Sequence, residues 1–363
     1  MPGLALYNKG IKTKKTEWLV SPFYSFKNNS INGFAEINHY QNFNNLIKRV
    51  EFGYKLKSFS SRFENLPDYN NRWIKNELYS EIRLKNKQLR NSPSQNILFR
   101  AIQTSEESHI VLPYLIQPPK IEKQKQTTYY GQLRYKLESK QILKPKSLSI
   151  NYTYGFNKIN ILSSLQLTAQ YRKNYNFNND GFEVRIFAGY NFVNKGKNLL
   201  YNFNLKGQGS YGNDSTAINT DYLYDYNYLG RNKYSPEFLG QQMTNTYGAF
   251  KVNTNNNAGN ILFASNFKLE LPKLPFGLFL DIASFDERKG NNPDVPNFII
   301  FYNSGLYFSV KAQNKEIFGV YLPVKYSEKI SNELGEVKLL QKITFVLNIN
   351  ELNPFKIKKN IRP

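Results

Sequence analysis

The sequence predicts an all-β fold, a transmembrane antiparallel β-barrel of about 16 strands. Three observations carry this expectation: side-chain polarity alternates with period two along the chain, the alternating segments are long, and the links between them alternate between short and long.

Alternation comes first, because successive side chains of a strand point to opposite faces. From Gly131 to Glu138, Leu133, Tyr135 and Leu137 alternate with Gln132, Arg134, Lys136 and Glu138. A dry core cannot cover the second of these faces. From Leu148 to Phe156, Leu148, Ile150, Tyr152, Tyr154 and Phe156 alternate with Ser149, Asn151, Thr153 and Gly155, and Leu165, Leu167, Ala169 and Tyr171 then alternate with Gln166, Thr168, Gln170 and Arg172. Phe182, Val184, Ile186, Ala188, Tyr190 and Phe192 stand opposite Glu183, Arg185 and Asn191. Earlier, Val50, Phe52, Tyr54 and Leu56 oppose Glu51, Lys55 and Lys57, and Ile74, Leu78, Ile82 and Leu84 oppose Lys75, Glu77, Glu81 and Arg83. At the other end, Ile343, Phe345, Leu347 and Ile349 oppose Lys342, Thr344, Asn348 and Asn350, as a closing strand would. On this reading the apolar rows meet lipid, and Arg134, Lys136, Glu138, Glu183 and Arg185 are candidate lumen-facing residues.

Length separates a membrane strand from a soluble one. The segments run about 9 to 14 residues, enough for a tilted strand to cross a bilayer, whereas strands of soluble domains cluster near 5 or 6. Short links are expected at Asn157-Lys158, Asn194 to Asn198, Pro272 to Pro275 and Ala312 to Lys315, and longer ones at Asn174 to Asp180, Gly212 to Gly259, Arg288 to Asn297 and Ser327 to Leu339. The stretch His109 to Ile116 is the ambiguous strand, since Pro113 interrupts it and Pro118-Pro119 follow. No amphipathic helix of ordinary length is expected. The single domain so predicted spans residues 1–363, with 1–16 as an N-terminal lead-in and 212–259 as a long external or lumen-inserted loop.

Composition bounds the rest. No stretch of the 363 residues approaches the roughly 20 apolar residues of a spanning helix, and a mean hydropathy of -0.57 suits a barrel in which only alternate residues face lipid. The 49 Lys and Arg against 27 Asp and Glu give a net charge of +22 that is spread along the chain, which fits solvated loops and a polar lumen, with lipopolysaccharide as the candidate anionic partner. Aromatic and basic residues interleave over the whole length rather than in one patch, so nucleic acid is not an expected partner. Aromatics crowd segment ends, as at Trp18, Phe23, Tyr24 and Phe26 or Tyr222, Tyr224, Tyr226 and Tyr228, where interfacial girdles would place them. There is no cysteine, and Met1 to Lys9 has no apolar signal core, so export information is expected outside this sequence.

Catalytic chemistry finds few candidates. The two histidines, His39 and His109, belong to no HExxH motif, and Gly207-Gln208-Gly209 lacks the third glycine of a nucleotide fingerprint. Glu106-Glu107 beside His109 reads as an exposed loop rather than a catalytic pair, because adjacent carboxylates in a strand would point to opposite faces. No catalytic, metal or cofactor residue is expected, and no cofactor; on its own the chain is expected not to be an enzyme.

Pro2-Gly3-Leu4-Ala5-Leu6-Tyr7-Asn8-Lys9, Val20-Ser21-Pro22-Phe23-Tyr24-Ser25-Phe26 and the ending Phe345 to Phe355 resemble the C-terminal barrel of gluzincin aminopeptidase-like proteins of the Bacteroidetes. The resemblance implies an upstream peptidase-like domain as partner, with none of its catalytic residues present here. More distantly, Leu269 to Asp281 and Ser304-Gly305-Leu306-Tyr307-Phe308 are similar to the terminal hairpins of the surface-antigen and insertase barrels. Tyr228-Leu229-Gly230-Arg231 stands where that superfamily has an Arg-Gly loop motif, here in reversed order. The expected role is an anchor or pore domain of the bacterial outer membrane, embedded in its lipid bilayer. The alternatives are an insertase- or transporter-like pore gated by residues 212–259, and a soluble β protein binding acidic polymers.

Overall fold

Alternating segments become strands because each residue then places one side chain on each face while its backbone groups pair across the ladder. The computed structural model describes residues 2–10, 14–26, 29–63, 66–86, 93–112, 120–139, 141, 143–175, 180–195, 199–209, 220–226, 228–229, 237–254, 259–272, 274–286, 298–312, 315–336 and 338–348. Sixteen strands form one sheet. They are β1 (Leu6–Tyr7), β2 (Thr16–Ser25), β3 (Ser30–Asn42), β4 (Ile47–Phe63), β5 (Leu66–Leu84), β6 (Ser94–Leu112), β7 (Lys120–Ser139) and β8 (Lys146–Phe156), followed by β9 (Ile161–Asn174), β10 (Gly181–Lys195), β11 (Gln242–Met243), β12 (Ile261–Glu270), β13 (Gly277–Asp286), β14 (Phe298–Ala312), β15 (Lys315–Tyr326) and β16 (Thr344–Leu347). The order is sequential except that β10 neighbours β12, and β11 lies beyond β16. The all-β class, the strand number and the meander order are those of a transmembrane β-barrel.

Contacts divide the chain into two compact units, residues 1–85, 96–134 and 153–161 in one and 86–95, 135–152 and 162–363 in the other. In the first, β1 to β6 pair antiparallel in sequence order. Lys75, Glu77 and Tyr79 of β5 are buried, while Leu78 between them is 61% exposed. In the second, β10 pairs β12, and β12 to β16 pair antiparallel in turn. Phe279, Asp281, Ala283 and Phe285 of β13 are buried, and Leu278, Leu280 and Ile282 are exposed. In both units an apolar row is exposed, the reverse of a soluble sandwich; the opposite, buried row is ionic in β5 and mixes Asp281 with apolar residues in β13.

Several expectations change. β5 and β6 reach 19 residues and β7 reaches 20, because ladder hydrogen bonds continue into ends such as Lys120 to Lys125 where no apolar face remains to alternate. The link at Asn194 to Asn198 does not join two neighbouring strands; β10 pairs directly with β12, and the chain between them folds as an insert with a 3-10 turn at Leu199–Tyr201 and α1 (Glu237–Gly240). Tyr201, Phe203 and Leu205 keep a strand-like period, but Asn204 among them is equally buried, so the segment is covered on both sides. The ambiguous strand is the end of β6, which stops at Leu112 before Pro113, and Glu106-Glu107, expected as a loop, lie within it paired to Trp73 and Arg72 of β5; residues 113–119 lie outside the described residues. The link after Ser327 holds α2 (Glu328–Leu334) and α3 (Leu339–Lys342), both too short to show a helical period in sequence. The terminal strand is four residues long, and its second edge pairs in parallel with β11 of the insert.

The largest apolar cluster sits in the second unit. Phe203, Leu205, Tyr247, Phe250 and Val252 of the insert pack with Phe187, Leu262, Ala264, Ala283, Phe285 and Phe301 of the sheet and with Ile330 of α2.

Candidate functional site

The buried face of the sheet carries two ionic networks, one in each unit. In the first unit Lys55 of β4 stands opposite Glu77 of β5, and Arg100 of β6 lies on the diagonal from Glu77. The Arg100 guanidinium donates to both Glu77 oxygens, Nε at 3.0 Å and Nη2 at 2.7 Å, and Nη1 donates to Gln132 Oε1 at 2.8 Å. Gln132 Nε2 continues to Thr153 Oγ1 at 3.1 Å, and Lys75 Nζ lies 3.0 Å from Glu77. Tyr79 Oη donates to Glu51 at 2.9 Å and Asn38 at 2.5 Å. Side chains from β3, β4, β5, β6, β7 and β8 are thus joined across the polar face. A carboxylate so buried is tolerated because a bidentate guanidinium and an ammonium replace its water.

In the second unit Arg172 joins Glu183 at 3.2 Å and also Glu270, which accepts from Lys311 as well. Lys268 lies 2.8 Å from Glu316, whose other oxygen accepts from Tyr321 Oη at 2.5 Å. Further along the same face, polar side chains seat the insert. Arg185 Nη1 donates to Tyr247 O at 2.9 Å and to Asn266 Oδ1 at 2.7 Å, and Asn266 Nδ2 donates to Gly248 O and to Asp281 Oδ1, each at 2.9 Å. Asp281 Oδ2 accepts the Lys251 backbone N–H at 3.1 Å and Asn303 Nδ2 at 3.1 Å, and Thr344 Oγ1 donates to Lys251 O at 2.7 Å.

The insert bends sharply to reach this seat. Tyr247 and Ala249 adopt left-handed φ of 50° and 52° on either side of Gly248, where an added Cβ would stand 2.5 Å from Leu205 O. Gly207, at φ 83°, faces Thr244 and Thr246 as closely, so its two buried stretches touch backbone to backbone. Burial pushes the Lys251 ammonium down to about 8, with Asp281 opposing the shift, and burial raises the Tyr222 and Tyr247 hydroxyls.

The residues singled out from sequence fall in different places. Arg134 Nη2 donates to Gln132 Oε1 at 3.2 Å at the margin of the first network, and Lys136 pairs with Glu138 at 3.3 Å in the second unit. Glu183 joins the Arg172 cluster, and Arg185 is at the centre of the insert's seat. Tyr228 Oη donates to Gln208 O at 2.7 Å and the Leu229 N–H donates to Gln242 Oε1 at 2.9 Å; Gly230 and Arg231 lie outside the described residues. Sequence reasoning did not single out Arg100, Asp281, Asn266 or Lys251. Period two could have found Asp281, the charged residue in the row of Phe279, Ala283 and Phe285 that alternates with Leu278, Leu280 and Ile282. Lys251 gives no local signal, because the carboxylate it faces is 30 residues away. Of the two histidines, His39 shares a hydrogen bond with Thr16 Oγ1 at 3.0 Å on an exposed position, and the His109 side chain lies outside the described ones.

No family model and no curated protein matches the chain. Among solved structures it is similar to CdiB from Acinetobacter baumannii, at 10% identity and TM-score 0.40 over 91% of this chain and 52% of that one. It is similar also to CdiB from Escherichia coli, at 11% identity and TM-score 0.37 over 87% and 54%, and to BamA from Haemophilus ducreyi lacking POTRA domains 1-3, at 10% identity and TM-score 0.41 over 94% and 68%. The chain therefore spans about half the length of the two CdiB structures it matches.

Proposed function

We propose that this chain is a β-barrel domain of a bacterial outer membrane, acting as an anchor or pore, with its insert lying across part of the polar interior. The distribution of the two faces carries the reading: apolar rows such as Ile186, Tyr190 and Phe192 are exposed, while the ionic rows are buried. In water such rows would associate; in a bilayer they are the solvated surface, and the polar face lines the interior. Heat-modifiable migration of detergent-refolded protein tests this. A shift between boiled and unboiled samples with β-rich circular dichroism supports it, and a protein soluble without detergent that shows no shift returns the reading to a soluble binder of acidic polymers.

A second reading, a pore gated by the insert, is favoured by the seat itself. Both polar atoms of the buried Asn204 amide and Oδ1 of Asn303 have no hydrogen-bond partner among the described residues, so the closed arrangement forgoes about 1–3 kcal/mol at each such group. Planar-bilayer conductance that rises on deleting residues 212–259 supports gating, and unchanged conductance counts against it. The finer anchor role, holding a peptidase-like module as the sequence resemblance implies, is tested by metal-dependent aminopeptidase activity that co-purifies with the chain from native membranes.

A further inference from the structure

The two helices of the β15–β16 connection use their side chains in opposite ways. α2 buries Ile330 completely in the apolar cluster and packs Leu334 against it. α3 has no buried residue: Leu339 is 64% and Leu340 76% exposed, in a four-residue helix flanked by Lys338 and Lys342. α3 is nonetheless held in place. Gln241, just after α1, donates to Leu340 O at 3.2 Å and Gln341 O at 3.0 Å, its own carbonyl accepts the Phe345 N–H at 3.1 Å, and the Lys338 N–H donates to Gln341 Oε1 at 3.2 Å while Lys338 O accepts the Gln341 N–H at 2.9 Å. An ordered segment that presents two adjacent leucines has an apolar occupant to meet.

Register indicates which occupant. β16 pairs with β15 only from Phe318 to Tyr321, so among the described residues Leu322 to Tyr326 extend past the start of β16 on the side where α3 lies. That stretch of β15 is paired to β14 on its other edge except at Val324, which a β-bulge leaves outside the register and which is an exposed apolar residue. α3, separated from β16 by Ile343 alone, therefore precedes the point where β15 runs on past Tyr321, and Phe238 of α1, also exposed, is tethered to it through Gln241.

We infer that α3 and Phe238 form a lipid-interface wedge, in which Leu339 and Leu340 enter the acyl boundary beside β15 and Lys338 and Lys342 reach the headgroups. It rests on the membrane reading above. The chemistry is that of a short interfacial helix: apolar side chains sink a few ångströms while lysine stems snorkel to the polar zone. The wedge covers the flank that β16, starting only at Thr344, leaves beside β15.

The chain has no cysteine, so single labels carry no background. Leu340→Cys and, as a lipid-facing reference, Ile186→Cys are labelled with an environment-sensitive fluorophore and reconstituted into phosphatidylcholine–phosphatidylglycerol vesicles holding spin-labelled lipid. Both positions are exposed, so neither label disturbs packing. The wedge predicts quenching at position 340 by shallow-labelled lipid, at least twofold stronger than by aqueous iodide, and quenching at 186 by deep-labelled lipid. Iodide quenching alone at 340 with lipid quenching at 186 overturns the wedge and leaves the barrel standing. Protection at 340 from both quenchers, accompanied by cross-linking between copies, also overturns it and assigns the patch to a second copy. Absence of lipid quenching at both positions overturns the membrane reading and the wedge with it.

Discussion

Arg100 and Lys251 are both buried cations with opposite consequences. Arg100 is satisfied by Glu77 and Gln132, so truncating it strands a buried carboxylate that keeps only Lys75 and a distant Lys55. Arg100→Met is expected to lower unfolding stability in lipid vesicles by about 3–5 kcal/mol, and adding Glu77→Gln to restore part of it. Urea unfolding followed by tryptophan fluorescence measures these variants and Glu77→Gln alone, and a double-variant loss equal to the sum of the two single losses would show that the pair is not coupled. Lys251 is buried in the insert's seat, where desolvation outweighs the attraction of Asp281 and Glu316 and holds its ammonium down to about 8 from an ordinary 10.5. The folded state thus binds this proton less readily than the unfolded one. The penalty is fully present below pH 8 and fades as pH rises to 10.5, with a ceiling of about 3 kcal/mol. Lys251→Met should remove that rise. The raised Tyr222 and Tyr247 hydroxyls lower stability above pH 10 in both proteins, so the difference between the two pH curves isolates Lys251.

At the scale of elements, the insert differs from the strands that flank it. Strands are held by continuous ladders, whereas residues 246–252 are held by directed bonds from Arg185, Asn266 and Asp281, by the apolar packing of Tyr247, Phe250 and Val252, and by close backbone approaches at Gly248 and at Gly207. Gly248→Val places a branched side chain against the Leu205 backbone, which cannot yield as a side chain would. The variant is expected to keep its barrel heat shift yet be cleaved in the insert at least tenfold faster by added protease. Loss of the heat shift instead would mean that the insert is part of the folding core. The same contrast explains what was legible. β8, β9 and β10 announced themselves through alternation, because the apolar side chains of each keep to one face along the strand. The described residues of the insert meet neighbours of changing polarity, so Tyr201, Phe203 and Leu205 mimic a strand and Lys251 mimics a solvated loop residue.

For the whole molecule, the decisive variable is the solvent on the exposed face. Ile186, near the middle of β10, is 48% exposed. Were that face in water, Ile186→Lys would be neutral or would improve solubility. Against lipid it is expected to cost about 2–4 kcal/mol if the position lies near the midplane, less toward an interface. The equivalent change on the buried face, Ala283→Lys, should disrupt the insert's seat in either solvent, so only the comparison of the two separates the readings. Refolding yield into vesicles, measured side by side, provides it.

By itself the sequence determined the all-β class, the strand count, the assignment of apolar and polar residues to opposite faces, and the absence of the familiar catalytic motifs. These are set by period two and by local turn chemistry, which act over a few residues. Tertiary structure alone decided that β10 pairs with β12 across an intervening insert, that Arg185, Asn266 and Asp281 converge on that insert, and that β16 is short and bordered by β11 and α3. The physical reason is range. Each of these depends on groups tens of residues apart whose mutual approach is fixed by register and by what the insert must bury, and neither is written in the local pattern of any one segment.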